Sequence, residues 1–231
     1  MMGERGVYTA ERAAALSGIP KSTVYRWART GWRVPSVSPT RVKRWSFKNL
    51  LILRAIHWLR HPAPNPDGER FPPVPEPVVR ATLAELARAD LEGLRDERLS
   101  VRVDRAGAVH VGLADDGGET GSRRPLGSLD LVEPFECHGG SRGPDLVAPR
   151  PLLRIVPGKL GGAPHLLGTR LQTEALAAIY RRGMSRSGVY RLYPRFDPSA
   201  IDQALDLEDQ LAQNHGRPSP QCPARSDPDK V

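Results

Sequence analysis

Residues 21–29 combine basic, hydroxyl and aromatic side chains in a pattern that suits contact with a nucleic acid. Val24, Trp27 and Ala28 lie at i, i+3 and i+4, which predicts a helix with these three side chains facing inward. The outward positions carry side chains that can reach base edges and phosphates: Lys21, Ser22, Thr23, Tyr25, Arg26 and Arg29. A basic run follows that we expect to approach the flanking backbone or minor groove: Arg41, Lys43 and Arg44.

Three helices and a short hairpin must position these residues. Thr9 can cap a first helix that ends at Gly18, and Pro20 suits the start of the second helix. Residues 34–45, here called the wing segment, contain two prolines and suit a short two-stranded excursion. Ser46 can cap a third helix with an apolar stripe: Ile52, Ala55, Ile56 and Leu59.

Residues 7–60 resemble the MerR family of regulators. The resemblance is carried by Tyr8-Thr9, Leu16-Ser17-Gly18-Ile19, Lys21-Ser22-Thr23-Val24-Tyr25-Arg26-Trp27 and Arg44-Trp45-Ser46. It implies a winged helix-turn-helix whose second helix enters the major groove of DNA. MerR regulators continue into a long dimerisation helix and an effector site, whereas prolines at positions 62, 64 and 66 stop the third helix here. Metal sensing by the MerR route therefore has no support.

Charge is distributed unevenly along the chain. Residues 1–60, here called the N-terminal block, hold 12 Lys+Arg and 2 Asp+Glu, so they contribute +10 to a total of +8. Residues 61–150 contribute −5 and residues 151–231 contribute +3. A compact segment this basic is typical of proteins that neutralise phosphates, although a solvated basic surface is the alternative.

The middle of the chain predicts a linker and small elements. Seven prolines between positions 61 and 77 exclude an ordinary helix or central strand there, and residues 78–95 can form one helix. Residues 99–113 alternate around Arg105-Ala106-Gly107 like a hairpin. We expect residues 114–128 to be mobile, whereas residues 129–150 allow no assignment.

A second folded unit, here called the C-terminal block, covers residues 151–212. Short strands are expected near Ile155 and Leu166, separated by a glycine-rich bend. Three helices follow, over 173–182, from Ser185 to before Pro194, and from Asp197-Pro198 onward. We expect residues 213–231 to be a disordered tail. The fold class is therefore mainly α with small β elements: an N-terminal winged helix-turn-helix, a middle helix plus β-hairpin, and a C-terminal short β element with three helices of helix-turn-helix type.

Residues 152–212 resemble the VapB-type antitoxin family, formerly classed as a domain of unknown function. The resemblance is carried by Gly161-Gly162-Ala163-Pro164, Gly168-Thr169-Arg170-Leu171, Gly183-Met184-Ser185 and Tyr193-Pro194, in this order and spacing. It implies a short β element with three helices, and a protein that neutralises and co-regulates a PIN-like ribonuclease toxin.

Charge within the C-terminal block divides at residue 197. Residues 151–196 hold 8 basic and 1 acidic side chain, whereas residues 197–212 hold 5 acidic and no basic ones. Phosphates would repel an acidic third helix, so this block contacts either DNA or a protein partner through its arginines: Arg170, Arg181, Arg182, Arg186 and Arg191. Arg170 also allows a structural role, bound to a local carboxylate or carbonyl.

Other chemistry has little support in the sequence. Cys137 and Cys222 are too few for a disulfide scaffold, and neither they nor the histidines show metal-ligand spacing. Gly158-Lys159 lacks the rest of a phosphate-binding loop, and no carboxylate pair suits acid/base catalysis. We expect no enzyme activity, no metal and no cofactor. No signal peptide or membrane span is recognisable, which favours a reducing cytoplasm.

These features predict a DNA-binding antitoxin that neutralises a PIN-like ribonuclease, regulates its own operon and forms a homodimer on a palindromic operator. One alternative is a stand-alone MerR-like regulator or excisionase-like DNA-binding protein without a toxin partner. Another is a scaffold whose basic end binds acidic protein or RNA.

Overall fold

The computed structural model describes residues 5–32, 35–38, 42–65, 67–88, 99–113, 125–137 and 140–215. Within these ranges the helices are α1 (Ala10–Ser17), α2 (Lys21–Arg29), α3 (Phe47–Arg60), α4 (Glu76–Arg88), α5 (Thr173–Arg181), α6 (Arg186–Leu192) and α7 (Pro198–His215). The strands are β1 (Leu99–Val103), β2 (Val109–Leu113), β3 (Gly127–Asp130), β4 (Phe135–Glu136), β5 (Arg142–Gly143), β6 (Leu153–Arg154) and β7 (His165–Leu166). Helices combined with small antiparallel sheets are the predicted coarse fold class.

Helix α3 lies at the centre of the molecule. Its Ser46 cap accepts a hydrogen bond from the Asn49 backbone N–H, while Asn49 Oδ1 accepts one from the Ser46 backbone N–H. The predicted stripe is buried, but so are the polar residues Arg54 and His57. The single apolar stripe was too narrow a prediction because α1 and α4 pack against the helix, and the backbone at Leu131 and Pro144 contacts it as well.

The proline-rich segment after α3 folds back onto that helix. As predicted, its described residues form no helix or strand before Glu76. The linker prediction missed two anchors, Phe71 and Val74, which are 2% and 3% exposed. The Phe71 ring lies 4.8 Å from that of Trp58, and the Val74 N–H donates to Leu59 O. This stretch therefore adds apolar surface to the core.

The middle sheet has the strand order β2-β1-β3, and both pairings are antiparallel. The β1-β2 hairpin confirms the prediction for residues 99–113, and Val101 lies opposite both Val111 and Leu129. Strand β3 was not predicted, because Gly127 and Ser128 read as part of a mobile interval. The predicted helix is present as α4; its expected continuation over 89–95, and residues 114–124, lie outside the described residues.

The C-terminal block has the predicted order of elements. Strands β6 and β7 pair at Leu153–Leu166 and Arg154–His165, and α5, α6 and α7 follow. Ser185 caps α6 by accepting from the Gly188 N–H. Helix α7 extends to His215, so the boundary of the predicted tail at residue 213 was wrong; residues 216–231 lie outside the described ones.

The N-terminal and C-terminal blocks pack against each other. Helix α1 lies against α7, and buried apolar side chains of both blocks belong to one cluster. Polar contacts join them as well: Tyr8 Oη donates to Gly162 O at 2.9 Å, and the Val7 N–H donates to Gly161 O at 2.8 Å. The two blocks therefore share a core.

Candidate nucleic-acid interface

Helix α2 presents one polar face to solvent. Val24 and Trp27 are buried, whereas Ser22, Arg26 and Arg29 are exposed and Tyr25 is 39% exposed. This arrangement agrees with the sequence prediction for those side chains. A helix with one anchored face and a polar, cationic opposite face has the form that enters a major groove.

Thr23 was wrongly assigned to that outward face. Its side chain is 6% exposed and lies with Val24 on the buried side of α2. The signal was present in the sequence, because Thr23 precedes Trp27 by four residues and therefore shares its face. Thr23 belongs to the packing of α2, and only the other five predicted positions of the helix can reach a ligand.

Lys21 is held at the start of α2 by the carboxylate of Glu11 on α1. That hydrogen bond raises the pKa of the Lys21 ammonium, so the group is cationic at neutral pH. Among the acidic residues, only Glu4 and Glu11 occur in the first 60 positions. The ion pair of Glu11 with Lys21 balances the one acidic side chain of α1.

A tight turn places α2 against α1. Gly18 ends α1 with φ of 75°, and its N–H donates to Ala14 O. A Cβ at this position would also lie 2.4 Å from Gly143 N, so the turn is pressed against β5. Glycine is therefore required at position 18 for two reasons, its backbone conformation and its close approach to another strand.

The described residues of the wing segment include one isolated β-bridge. Ser38 and Arg44 pair antiparallel, and the Arg44 N–H donates to Ser38 O at 2.9 Å. Lys43 and Arg44 are partly exposed, whereas Arg41 lies outside the described residues. The base of the segment is fixed to α3, because Asn49 Oδ1 accepts hydrogen bonds from the Ser36 N–H and Oγ. Sequence reasoning did not identify Asn49 as an anchor, since its partner lies 13 positions earlier.

Trp32 joins the end of α2 to α3 and α4. The guanidinium of Arg80 lies 5.0 Å from its ring centroid, and that of Arg60 lies 5.6 Å away. Cation–π contacts of this kind stabilise partly exposed aromatic rings. No local spacing signal connects positions 32, 60 and 80, so this cluster could not be predicted from the sequence.

The candidate arginines of the C-terminal block divide into two groups. Arg186 is already engaged: it binds Asp202 and Asp206 of α7, each at 2.7 Å, and lies over the Tyr180 ring. Asp202 and Asp206 balance the Arg186 charge, and its external contact stays a prediction. Four others have exposed side chains: Arg170, Arg181, Arg182 and Arg191. Arg181 in addition donates to Glu208 O at 3.3 Å.

Glu208 connects the two blocks through a buried ion pair. Its carboxylate is 3% exposed and accepts two hydrogen bonds from Arg12, at 2.6 and 2.7 Å, and one from the Thr173 hydroxyl. Burial by itself raises the pKa of Glu208, but the Arg12 hydrogen bonds and charge together with Thr173 outweigh it, so the pKa lies below its ordinary value. One of the five acidic side chains of residues 197–212 is thus buried and paired with Arg12 inside the fold.

Arg54 is the most deeply buried cation of the described residues, with 0% exposure. Its guanidinium donates to six backbone carbonyl groups: Leu16, Ser17, Leu131, Val132, Glu133 and Pro144. Burial lowers the pKa of Arg54 to about 9, against the opposing effect of Asp145 and Asp130. The side chain remains charged at neutral pH and ties the end of α1 to the loops after β3 and β5.

Two further features lie away from α2. Cys137 Sγ is 2.9 Å from His57 Nε2, and burial raises the pKa of the Cys137 thiol to about 12, so it is a protonated, poorly nucleophilic group. A cleft of about 270 Å³ lies between the blocks and is bordered by Thr9, Glu11, Arg181 and Leu211. In the part of the chain that the structure describes, no three His, Cys, Asp or Glu side chains are grouped to hold a metal ion.

Among the described residues, no helix has the length and apolar character needed to span a membrane.

Comparison with known families identifies one region of the chain. The family model described as Protein of unknown function (DUF433) matches residues 154–207. The match runs from β6 to within α7 and ends one residue before Glu208. No curated protein and no solved structure matches the chain. The C-terminal block is therefore similar, over residues 154–207, to a family whose description names no function.

Proposed function

We propose that the N-terminal block binds duplex DNA as a MerR-like winged helix-turn-helix, with α2 in the major groove and the wing segment against the adjacent backbone. The observation that carries the proposal is the exposed face of α2. Ser22, Tyr25, Arg26 and Arg29 are exposed there, and the opposite face is anchored by Val24 and Trp27. Arginine on such a face can bind guanine edges with two hydrogen bonds.

Charge supports the same proposal. The N-terminal block contributes +10, and its acidic residue Glu11 is paired with Lys21. Lys43 and Arg44 add partly exposed cations on the wing segment. Binding to DNA would release counterions from the phosphates near these groups, so the affinity should fall as salt is raised.

The experiment that tests DNA binding compares one arginine substitution on α2 with one lysine substitution on the wing segment. Arg26→Ala should reduce discrimination between a selected duplex and a scrambled one by roughly 1 to 3 kcal/mol, because a base contact is lost. Lys43→Ala should weaken binding of both duplexes alike. It should also make the fall of log affinity with log salt concentration, here called the salt slope, shallower by about the equivalent of one phosphate contact. Gel shifts at several salt concentrations measure both quantities. Equal binding by the parent and both variants contradicts the assignment of α2.

We further propose that the C-terminal block binds a protein partner and that the chain is an antitoxin for a PIN-like ribonuclease, acting as a homodimer that represses its own operon. The support is the resemblance of residues 152–212 to VapB-type antitoxins. Exposed arginines without an acidic partner among the described contacts are available for a nuclease whose active site is acidic: Arg170, Arg182 and Arg191. The acidic residues of α7 that face Arg186 are already neutralised.

Co-expression with the reading frame beside this gene tests the antitoxin proposal. A PIN-like nuclease from that frame should co-purify with the chain and lose its ribonuclease activity. Arg182→Ala and Arg191→Ala should weaken that inhibition, whereas Arg88→Ala, an exposed arginine of α4, should leave it unchanged. A neighbouring frame that encodes no nuclease favours the stand-alone regulator instead, with DNA binding retained.

A further inference from the structure

We infer that Glu208 and Arg12 are positioning residues for DNA reading, so that α7 of the C-terminal block sets the orientation of α1 and, through α1, of α2. The inference rests on the proposed DNA binding of the N-terminal block. Neither residue belongs to the exposed face of α2, and the family match ends before Glu208.

The contact geometry is well suited to fixing orientation. The two Arg12 guanidinium nitrogens donate to the two Glu208 carboxylate oxygens at 2.6 and 2.7 Å, a paired arrangement that restricts rotation as well as distance. Arg12 is 17% exposed and Glu208 is 3% exposed, so water screens the pair little. Thr173 on α5 holds the carboxylate from the other side.

Two further contacts hold α1 at its ends. At the C-terminal end, Asn214 Nδ2 donates to Ala15 O at 3.1 Å and to Arg142 O at 2.9 Å. At the N-terminal end, Tyr8 Oη donates to Gly162 O. With Arg12 between them, these contacts hold α1 and the residue pair before it against α7 and the loop before β7.

Helix α2 follows α1 because the link between them is short and buried. Only Gly18, Ile19 and Pro20 separate the two helices, and the Ile19 N–H donates to Ala14 O. Ile19 and Val24 are at most 1% exposed. A change in the angle of α1 relative to α7 therefore changes the angle at which α2 meets the groove.

The test measures how strongly the chain prefers a selected DNA duplex over a scrambled one, as well as its affinity for each. The unmodified chain first selects its best duplex from a random library of about 20 base pairs, the length that two helix-turn-helix half-sites cover. Dissociation constants are then measured for that duplex and for a scrambled one. The variant is Glu208→Gln, and the control is Asp209→Asn, an exposed carboxylate next to it on α7.

A positioning role predicts that Glu208→Gln lowers the ratio of the dissociation constant for the scrambled duplex to that for the selected duplex. We expect a decrease of about fivefold or more, because base contacts depend on the angle of α2. Binding of the scrambled duplex and its salt slope should stay the same, since the basic side chains remain. Asp209→Asn should change neither duplex. Circular dichroism establishes that each variant is folded at the temperature used; if Glu208→Gln is unfolded, Arg12→Lys, which retains a cation beside Glu208, replaces it.

Two outcomes would overturn the inference. In the first, the ratio for Glu208→Gln equals that of the parent. In the second, binding of both duplexes falls in proportion, which is the effect of a reduced folded fraction and marks a structural role only. Failure of the parent chain to select any duplex is a different result, because it contradicts the proposed DNA binding itself.

Discussion

Arg54 shows how one buried side chain can connect distant parts of this chain. Six backbone carbonyl oxygens from residues 16–17 and 131–144 surround its guanidinium. Arginine suits this position because its guanidinium carries five N–H groups in a planar fork. The residue lies within the apolar pattern of α3, and the sequence analysis assigned it no role.

Replacement of Arg54 by Met should destabilise the fold strongly. The Met side chain fills similar space but leaves the carbonyl groups without their donor, so we expect a loss of at least about 3 kcal/mol in the free energy of unfolding. Urea denaturation measures the loss. Arg88→Met, an exposed arginine of α4, is the control and should change stability by no more than about 0.5 kcal/mol. Similar curves for both variants would show that the carbonyl contacts contribute little.

Glu208 should make stability depend on pH in acid. Its pKa in the folded chain lies below the ordinary value of 4.5, so the unfolded chain binds a proton first as the pH falls. The stabilising contribution is therefore complete above about pH 4.5 and is lost as the pH falls through the lowered pKa. Urea curves at neutral pH and in steps down to about pH 3 should show the difference between the parent and Glu208→Gln narrowing. If the difference in free energy of unfolding between the parent and Glu208→Gln stays constant over this pH range, the lowered pKa of Glu208 is contradicted.

At the scale of elements, the caps determined where most helices begin. Ser46, Ser185 and Asp197 each stand directly before a helix in the structure, as their side chains predict, and Pro198 is the first residue of α7. The caps differ in environment, however. Ser46 is fully buried and also lies 3.0 Å from Ser36 Oγ, whereas Ser185 is exposed.

The two serine caps give a matched pair of substitutions. Ser46→Ala should cost about 2 kcal/mol, because a buried N–H loses its acceptor and the wing segment loses one contact with α3. Ser185→Ala should cost about 0.5 to 1 kcal/mol, since water can replace its hydroxyl. Thermal unfolding followed by circular dichroism compares the two variants. Equal losses would indicate that burial of the Ser46 cap adds nothing.

At the scale of the whole molecule, the loop before β7 touches the first residues of the N-terminal block. Gly162 has φ of 80°, and a Cβ there would lie 2.0 Å from Tyr8 Oη. Gly161 has a similar φ of 63° but has no atom within 4 Å of such a Cβ. Alanine at either position strains the backbone, but only alanine at position 162 also disturbs the contact between the blocks. Comparing the two variants therefore separates these two contributions to stability.

Gly162→Ala should lower the unfolding midpoint well below that of Gly161→Ala. Both variants strain the backbone by about 1 kcal/mol, but only the first displaces Tyr8. All four tryptophans lie between positions 27 and 58, so their fluorescence reports on the N-terminal half of the chain. A midpoint shift seen in that signal shows that the blocks unfold together. If the tryptophan signal of Gly162→Ala matches that of Gly161→Ala, the blocks are independent in stability.

The sequence by itself determined the local features of this protein. Caps, glycines and prolines act within about four residues, so they predicted the starts of α3, α6 and α7, the β1-β2 hairpin and the absence of regular structure before α4. The spacing of Val24 and Trp27 likewise predicted which side chains of α2 face solvent. Thr23 was misplaced although its spacing to Trp27 carried the information.

Only the tertiary structure decided the partners of charged residues. Arg12 and Glu208 are 196 positions apart, and no local pattern distinguishes Glu208 from the exposed Asp209 beside it. The sequence does not distinguish Arg186 from Arg182 as a candidate contact, whereas the structure places two carboxylates of α7 against Arg186. An ion pair forms where packing brings two side chains together and removes water from them, and that packing depends on the whole chain rather than on any one segment.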